Sequence, residues 1–388
     1  MKILFFANID WYLYNFRLPL AQALRTEDIE VVMLSPPGDY GNRLQAEGFR
    51  WVPLPMNPRS LNPWKEAKLL FYLTRLYAQE KPDLIHHFSI KCVVYGSLAA
   101  QLVGIRARVN AITGMGHVFI SNSWRARLLC PVVRHLLKVA LAGAYNRVIV
   151  QNPDDRGVLI KAGLIAPERV HLIPGSGVNT QRFTPHCKTT PSTEPTMTKA
   201  IMPVCRVLLA ARLLWEKGIG EYVQAARLLK EKGLPVQFFL AGSPDTKNPT
   251  SVSTERISEW QQGGYVKLLG HVDAMEQLMS QIDIGVLPSY REGLPRSLLE
   301  AAACGLPIVT TDVPGCREVV THGINGLLVP PRDPEALANA IEYLVKNPEE
   351  RQRMGKAGRA RVLAEFDERI VLQKTIAVYR ELLNARRF

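Results

Sequence analysis

Two glutamates eight residues apart, Glu292 and Glu300, lie in the stretch SYREGLPRSLLEAAACG at 289–305. Glu292 falls in the loop after an apolar strand, DIGVLP, and Glu300 falls in a segment with helical spacing of its apolar residues. Gly293, Leu294 and Pro295 make the junction between loop and helix. Proline is tolerated there because the first amides of a helix have no partner within it. Those amides and the positive end of the helix dipole suit a phosphate. Glu300 then lies about 9 Å farther along, at about 1.5 Å per residue. The order is carboxylate, anion site, carboxylate, and carboxylates accept hydrogen bonds from paired hydroxyls. Such an order matches the sugar, diphosphate and ribose of a sugar nucleotide. The same residues also read as a surface helix with two solvated glutamates, and spacing alone leaves both readings open.

A second segment, AARLLWEKG at 210–218, places Arg212 at a strand end and Lys217 at the start of the next helix. Two cations beside a helix N-terminus make a diphosphate site that needs no metal. Taken alone, this segment is a solvated basic turn. Upstream, NIDWYLYNFRLPLA at 8–21 follows the strand KILFFA and carries Asp10, Asn15 and Arg17 among four aromatic rings. A nucleotide-binding first turn usually carries glycines, and this one has none before Gly38. In TGMGHVF at 113–119, Gly114 and Gly116 allow close approach of backbone to a ligand, and His117 follows them. His117 is a candidate hydrogen-bond donor to a bound anion. His86 and His87, after the apolar run DLI, are weaker candidates for a ligand site.

These residues sit on a regular alternation. Apolar strands and amphipathic helices alternate through residue 183, and again from 204 to 366, which is the pattern of parallel, doubly wound sheets. The expected fold class is therefore α/β, with two doubly wound Rossmann-like domains facing a central cleft. Residues 184–203, rich in Pro and Thr without apolar period, read as a linker. The last helix, 367–388, is expected to pack back on the first domain. The 388 residues suit two domains, and 47% apolar content makes the chain globular. Its six cysteines show no Cys-x-x-Cys spacing, which argues against a zinc site or disulfide frame. The apolar run from Ile3 is short and meets Asp10, so it reads as a strand and not a signal peptide. No apolar run is long enough to span a bilayer.

The net charge is +13, and about +9 of it falls in the first 175 residues, which favours anionic partners there. The stretch 120–147 mixes apolar residues with Arg125, Arg127, Arg134, His135 and Lys138. It reads either as a helix on an anionic membrane surface or as a core helix with a solvated basic face. No aromatic–basic RNA motif or helix-turn-helix is present, so no nucleic-acid partner is expected.

The motifs resemble the retaining glycosyltransferases of family 4, which have the GT-B architecture. Glu292 and Glu300 match that family's Glu-x7-Glu pair. ARLLWEKG matches its Gly-Arg-Leu…Glu-Lys-Gly segment, with Ala211 in place of the usual Gly. LGHV at 269–272 and GINGLLVPPRDPEALANAI at 323–341 continue the match. The resemblance implies that Arg212 and Lys217 hold the donor diphosphate, Glu300 the ribose, and Glu292 the donor sugar. Gly293, Leu294 and Pro295 would help hold phosphate and sugar, and His271 and Val272 would lie by the base. Glu292, Arg212, Lys217 and His117 are the catalytic candidates.

The opening turn is similar to a subset that extends glycans on polyprenyl-diphosphate carriers, with Asn15 where those proteins often have His. Asp10, Asn15 and Arg17 are thereby expected to bind the acceptor, as are Gly114 and Gly116 from the loop that carries His117, and His86 and His87 are weaker candidates to line its site. The reaction implied is transfer of a hexose or N-acetylhexosamine from a UDP-sugar to a lipid-linked glycan. No metal or other cofactor is expected, and the enzyme is placed in the cytoplasm, peripherally on the inner face of the membrane. A sugar-nucleotide epimerase on the same fold and a GDP-mannose-dependent mannosyltransferase are the alternatives.

Overall fold

The computed structural model describes residues 1–60, 62–114, 124–185, 204–245 and 248–384, without the side chains of 124–129. The chain divides into two compact units. The first is Met1–Ser176 together with the chain from Arg369 onward, and the second is Gly177–Glu368.

The first unit is built on a seven-stranded sheet in the order β3-β2-β1-β4-β5-β6-β7. Its strands are β1 (Lys2–Phe6), β2 (Glu30–Ser35), β3 (Arg50–Pro53), β4 (Leu84–Phe88), β5 (Arg108–Ile112), β6 (Asn146–Val150) and β7 (Val170–Leu172). The second unit has a six-stranded sheet in the order β10-β9-β8-β11-β12-β13. Here the strands are β8 (Cys205–Ala210), β9 (Val236–Ala241), β10 (Lys267–Gly270), β11 (Ile284–Leu287), β12 (Ile308–Thr311) and β13 (Gly326–Val329). All pairings between these strands are parallel. Helices cover both faces of such sheets, so central strands are apolar along their whole length: Ile3 to Phe6 and Ile284 to Leu287 are all buried. Strand order reverses between β1 and β4 and between β8 and β11. At such points the loops leaving the carboxyl ends part to opposite sides and leave room for a ligand.

The boundary between units falls at residue 176 rather than 183. Val178 bridges to Asp367, Phe183 is buried in the second unit's core, and Arg359 donates to the carbonyls of Thr180 and Phe183. These contacts hold 177–183 to the second unit. The expected linker lies almost wholly outside the described residues. The helix Glu368–Asn384 packs Val371, Ile376, Val378, Tyr379 and Leu382 into the first unit's core beside Ile3 and Phe5.

β4 carries two histidines in a strand buried at every position. His86 and His87 are therefore core residues, and the expectation that they line an acceptor site is corrected. Asn110 donates its amide to the side-chain oxygen of Asn146, so its own oxygen faces His87, whose Nδ1–H donates to it at 2.8 Å. His87 Nε2 then accepts from the Tyr77 hydroxyl at 3.3 Å. Gly96 is obligatory here, because a Cβ on it would lie 2.3 Å from the His87 ring. His86 meets the Tyr379 hydroxyl through Nδ1.

Burial holds both rings neutral. It lowers His87 to about 3, with Arg108 adding to the shift and the Asn110 bond opposing it. His86 is lowered well below its ordinary value by burial, then by Arg17 and His87. The unfolded chain, with histidines near ~6.5, binds more protons than the folded one below that pH. Stability is thus full above pH ~6.5 and is lost as pH falls toward 3, at up to about 1.4 kcal/mol per pH unit for each histidine. Denaturant titrations between pH 4 and 7 should show this slope, and it should be shallower in His87→Gln. Equal slopes in the two proteins would remove the histidine contribution.

Candidate functional site

In the second unit, the loops leaving β8 and β11 meet across the sheet's reversal point. Backbone contacts fix them. Gly242 has φ +141, and a Cβ there would lie 1.9 Å from the carbonyl oxygen of Ala211. Gly218 has φ +71, and its Cβ would lie 2.1 Å from the carbonyl oxygen of Pro288. The Tyr290 amide donates to the Glu216 carbonyl at 2.9 Å. Only glycine allows both the backbone angle and the approach at these two positions.

This stitching delivers Lys217 to Glu292. Lys217 lies in a 3-10 turn, Trp215–Lys217, and its Nζ is 2.5 Å from Glu292 Oε1. The Ser289 hydroxyl donates to the same oxygen at 2.7 Å. The pair is partly dry, with side-chain exposures of 19% for Lys217 and 12% for Glu292. An ammonium and a carboxylate at the mouth of a parallel sheet can each serve a bound molecule. The ammonium offers charge to an anion, and the carboxylate accepts from hydroxyls.

After Glu292 the chain runs through Gly293 and Leu294 to Pro295, the residue that precedes the helix Arg296–Ala303. Glu300 lies on this helix and accepts from Arg296 Nε at 2.9 Å. Burial raises the Glu300 carboxyl above its ordinary range, Arg296 and Arg182 oppose that, and Glu276 adds to it. Arg182 pairs with Glu276 at 2.8 Å. Neither was evident from the sequence, since both lie far from the motif and no local pattern marks them. Ser289 was also missed, although it opens the motif itself.

The remaining donor-side candidates are more open. The Arg212 side chain is 64% exposed and pairs with Asp245 at 3.3 Å. His271 is exposed, with Nε2 3.3 Å from Asp273. Val272 is partly buried against the core. All three follow carboxyl ends of strands: Arg212 follows β8, and the other two follow β10.

The opening turn of the first unit departs from expectation. Residues 10–17 are helical, Asp10–Tyr12 followed by a wider turn Leu13–Arg17. Asp10 is buried, and its carboxylate accepts from three backbone amides: Trp11 at 2.8 Å, Tyr40 at 2.8 Å and Gly41 at 3.0 Å. From this buried position it clamps the loop after β2. Arg17 is also buried. Its guanidinium donates to the Tyr12 hydroxyl at 2.6 and 3.1 Å and stacks 4.6 Å from the Phe88 ring centre. These contacts engage the Arg17 guanidinium inside the fold. Asn15 is half-buried and donates to the Trp11 carbonyl at 3.0 Å. Gly114 has φ +152, and among the described residues nothing lies within 4 Å of where a Cβ would stand. Gly116 and His117 lie outside the described residues.

Comparisons with known proteins agree with this architecture. Residues 205–361 match the family described as glycosyl transferases group 1, and residues 2–152 match that described as glycosyl transferase 4-like. The chain belongs to this family of glycosyltransferases with the GT-B fold. It is 30% identical, over 98% of both chains, to the N,N'-diacetylbacillosaminyl-diphospho-undecaprenol alpha-1,3-N-acetylgalactosaminyltransferase of Campylobacter jejuni. It is 25% identical to the UDP-Gal:alpha-D-GlcNAc-diphosphoundecaprenol alpha-1,3-galactosyltransferase of Escherichia coli, over 73% of this chain and 71% of that one. Among solved structures, HepE of Anabaena in complex with UDP and glucose aligns with a TM-score of 0.74 at 20% identity, covering 98% of this chain and 99% of that one.

Proposed function

We propose that the protein is a retaining, metal-independent glycosyltransferase. It moves a hexose or N-acetylhexosamine from a UDP-sugar to a hydroxyl of a polyprenyl-diphosphate-linked glycan, in cell-surface polysaccharide or glycan synthesis. The observation that carries the reading is the Lys217–Glu292 pair, held between the loops leaving β8 and β11 and followed by a helix N-terminus. Two relatives named for diphospho-undecaprenol substrates support the acceptor class, one of them named for a UDP-galactose donor.

In this reading the glycosidic bond to the donor diphosphate breaks as the acceptor oxygen bonds to the same face of the anomeric carbon. The departing β-phosphate takes the acceptor's proton. Lys217, Arg212 and the amides after Glu292 offset the charge that grows on the diphosphate, and fixed charges of this kind need no reorganisation during reaction. Glu292 accepts from the donor sugar's hydroxyls, and Glu300 from the ribose. His271 and Val272 lie by the base, and His117 donates to the leaving group. The enzyme works from the cytoplasmic side, on an acceptor carried in the membrane.

Calorimetric titration with UDP, GDP and ADP, with and without a chelator, tests this. UDP binding that survives chelation supports the metal-free site, preference for GDP changes the donor, and no nucleotide binding defeats the reading. Glu300 adds a pH signature. Its carboxyl must be ionised to accept from both ribose hydroxyls, and its raised pKa puts protonation at a higher pH than for an ordinary glutamate. UDP affinity should therefore fall as pH drops through that range. Glu300→Gln should bind UDP about tenfold more weakly near neutral pH, the loss of one charge-assisted hydrogen bond. The ratio of wild-type to variant affinity should shrink toward acid. A ratio that stays constant with pH would detach Glu300 from the nucleotide.

A further inference from the structure

The helix Pro63–Glu80 of the first unit divides into two unlike faces. Leu69, Leu73, Leu76 and Tyr77 are buried against Cys92, Ala99 and Ala100. Trp64, Lys68, Phe71, Tyr72 and Arg75, at i, i+4, i+7, i+8 and i+11, form the opposite stripe. On this stripe Trp64 is 81% exposed, Phe71 72% and Tyr72 37%. Lys65, Lys68 and Arg75 are exposed beside them.

The helix's only acids, Glu66 and Glu80, are on the inward side. Glu66 pairs with Lys91 at 2.8 Å, and Glu80 with Arg50 at 2.6 Å and Lys2 at 3.2 Å. The outward face therefore combines large aromatic rings with three cations and no carboxylate. The face is also preformed. Asn62 caps the helix through the amides of Trp64 and Lys65, and Lys81 ends it in the left-handed conformation.

We infer that this face docks the protein on an anionic lipid bilayer. Two large rings as exposed as Trp64 and Phe71 on one face of a helix mark an interaction surface. Aromatic side chains favour the depth of the lipid headgroups. Lysine and arginine stems lie along apolar surface while their charges reach lipid phosphates, and each such charge adds to attraction by an anionic surface. A groove in a protein partner would instead select an apolar stripe, uninterrupted by Lys68 and Arg75. Among the described residues no helix is long and apolar enough to cross a membrane, so contact through this helix is interfacial. The helix starts at the carboxyl edge of the sheet, the edge from which the opening turn also leaves. Docking there brings that edge to the plane where a lipid-linked acceptor presents its headgroup. The inference gives a place to the membrane contact of the proposed function, but it is carried by the helix itself.

Co-sedimentation of the full chain with phosphatidylcholine vesicles, with and without phosphatidylglycerol, tests it. Wild-type protein should bind the anionic vesicles, and added salt should weaken the binding. The pairs Trp64→Ser with Phe71→Ser, and Lys68→Glu with Arg75→Glu, should each lower partitioning about tenfold or more. Melting temperature, UDP binding and transfer to a short-chain, water-soluble acceptor should not change, because these side chains are exposed. Variants that bind vesicles like wild type would overturn the inference, as would wild-type protein that ignores anionic vesicles. A concentration-dependent dimer dissolved by Phe71→Ser, without vesicle binding, would assign the face to self-association. In each of these cases, retained transfer to the soluble acceptor would leave the enzymatic reading standing.

Discussion

Replacing Lys217 with alanine should lower turnover by about 10²–10³, the usual cost of removing one preorganised group from a developing negative charge. The reasoning begins with the loop. Gly218 and Tyr290 hold the Lys217 turn against the β11 loop, so the ammonium is fixed beside Glu292 before any ligand arrives. A structural role makes a different forecast. If Lys217 only neutralised Glu292, its loss would strand a carboxylate that is 12% exposed, and removing that carboxylate as well would restore the site. A double-mutant cycle separates the two. Lys217→Ala combined with Glu292→Ala should be at least as impaired as either single variant, and UDP should bind more weakly in both proteins that lack Lys217. Recovery of UDP affinity in the double variant would reduce Lys217 to a partner for Glu292. Near-wild-type turnover in Lys217→Ala would remove the diphosphate site.

That cycle is aimed at residues legible from the sequence, and the reason is physical. Strands of a parallel sheet are buried on both faces, so they read as apolar runs, and the loops that follow them must carry the chemistry. Glu292, Glu300 and Lys217 stand on two such junctions, each with its glycine or proline beside it. Local signals end there. β3, Arg50–Pro53, is a four-residue edge strand with no buried residue and leaves no apolar run. The histidines of LIHHF looked available because their partners are remote: Asn110 is 23 residues from His87, and Tyr379 is 293 from His86. Arg182 reached the surroundings of Glu300 from a segment whose composition gives no hint of it. Polar residues that satisfy one another inside a fold have the same letters as polar residues that wait for a ligand. The opening turn failed for this reason.

Asp10 shows how much that distinction is worth. Alanine at this position should destabilise the first unit by about 3 kcal/mol or more, because amides left without a partner in a buried setting cost about 1–3 kcal/mol each. The amides of Tyr40 and Gly41 share Oδ2, and that of Trp11 takes Oδ1. A drop of roughly 6–12 °C in the melting of a unit of this size corresponds to that energy. The isosteric change Asp10→Asn is the finer probe. It keeps one oxygen for Tyr40 and Gly41 but turns an amide donor toward the Trp11 N–H, so about half the loss is expected. Gly38→Ala should resemble it, since a Cβ there would lie 2.5 Å from Asp10 Oδ1. Hydrogen exchange gives the local readout: protection at Tyr40 and Gly41 should fall in Asp10→Ala before the rest of the sheet opens. At a temperature where the variant is still folded, its KM for the lipid-linked acceptor should stay within a few-fold of wild type. A variant with unchanged melting and exchange but a much higher acceptor KM would return Asp10 to the acceptor site. The carboxylate would then have to leave its three amides to bind, and its burial argues that it does not.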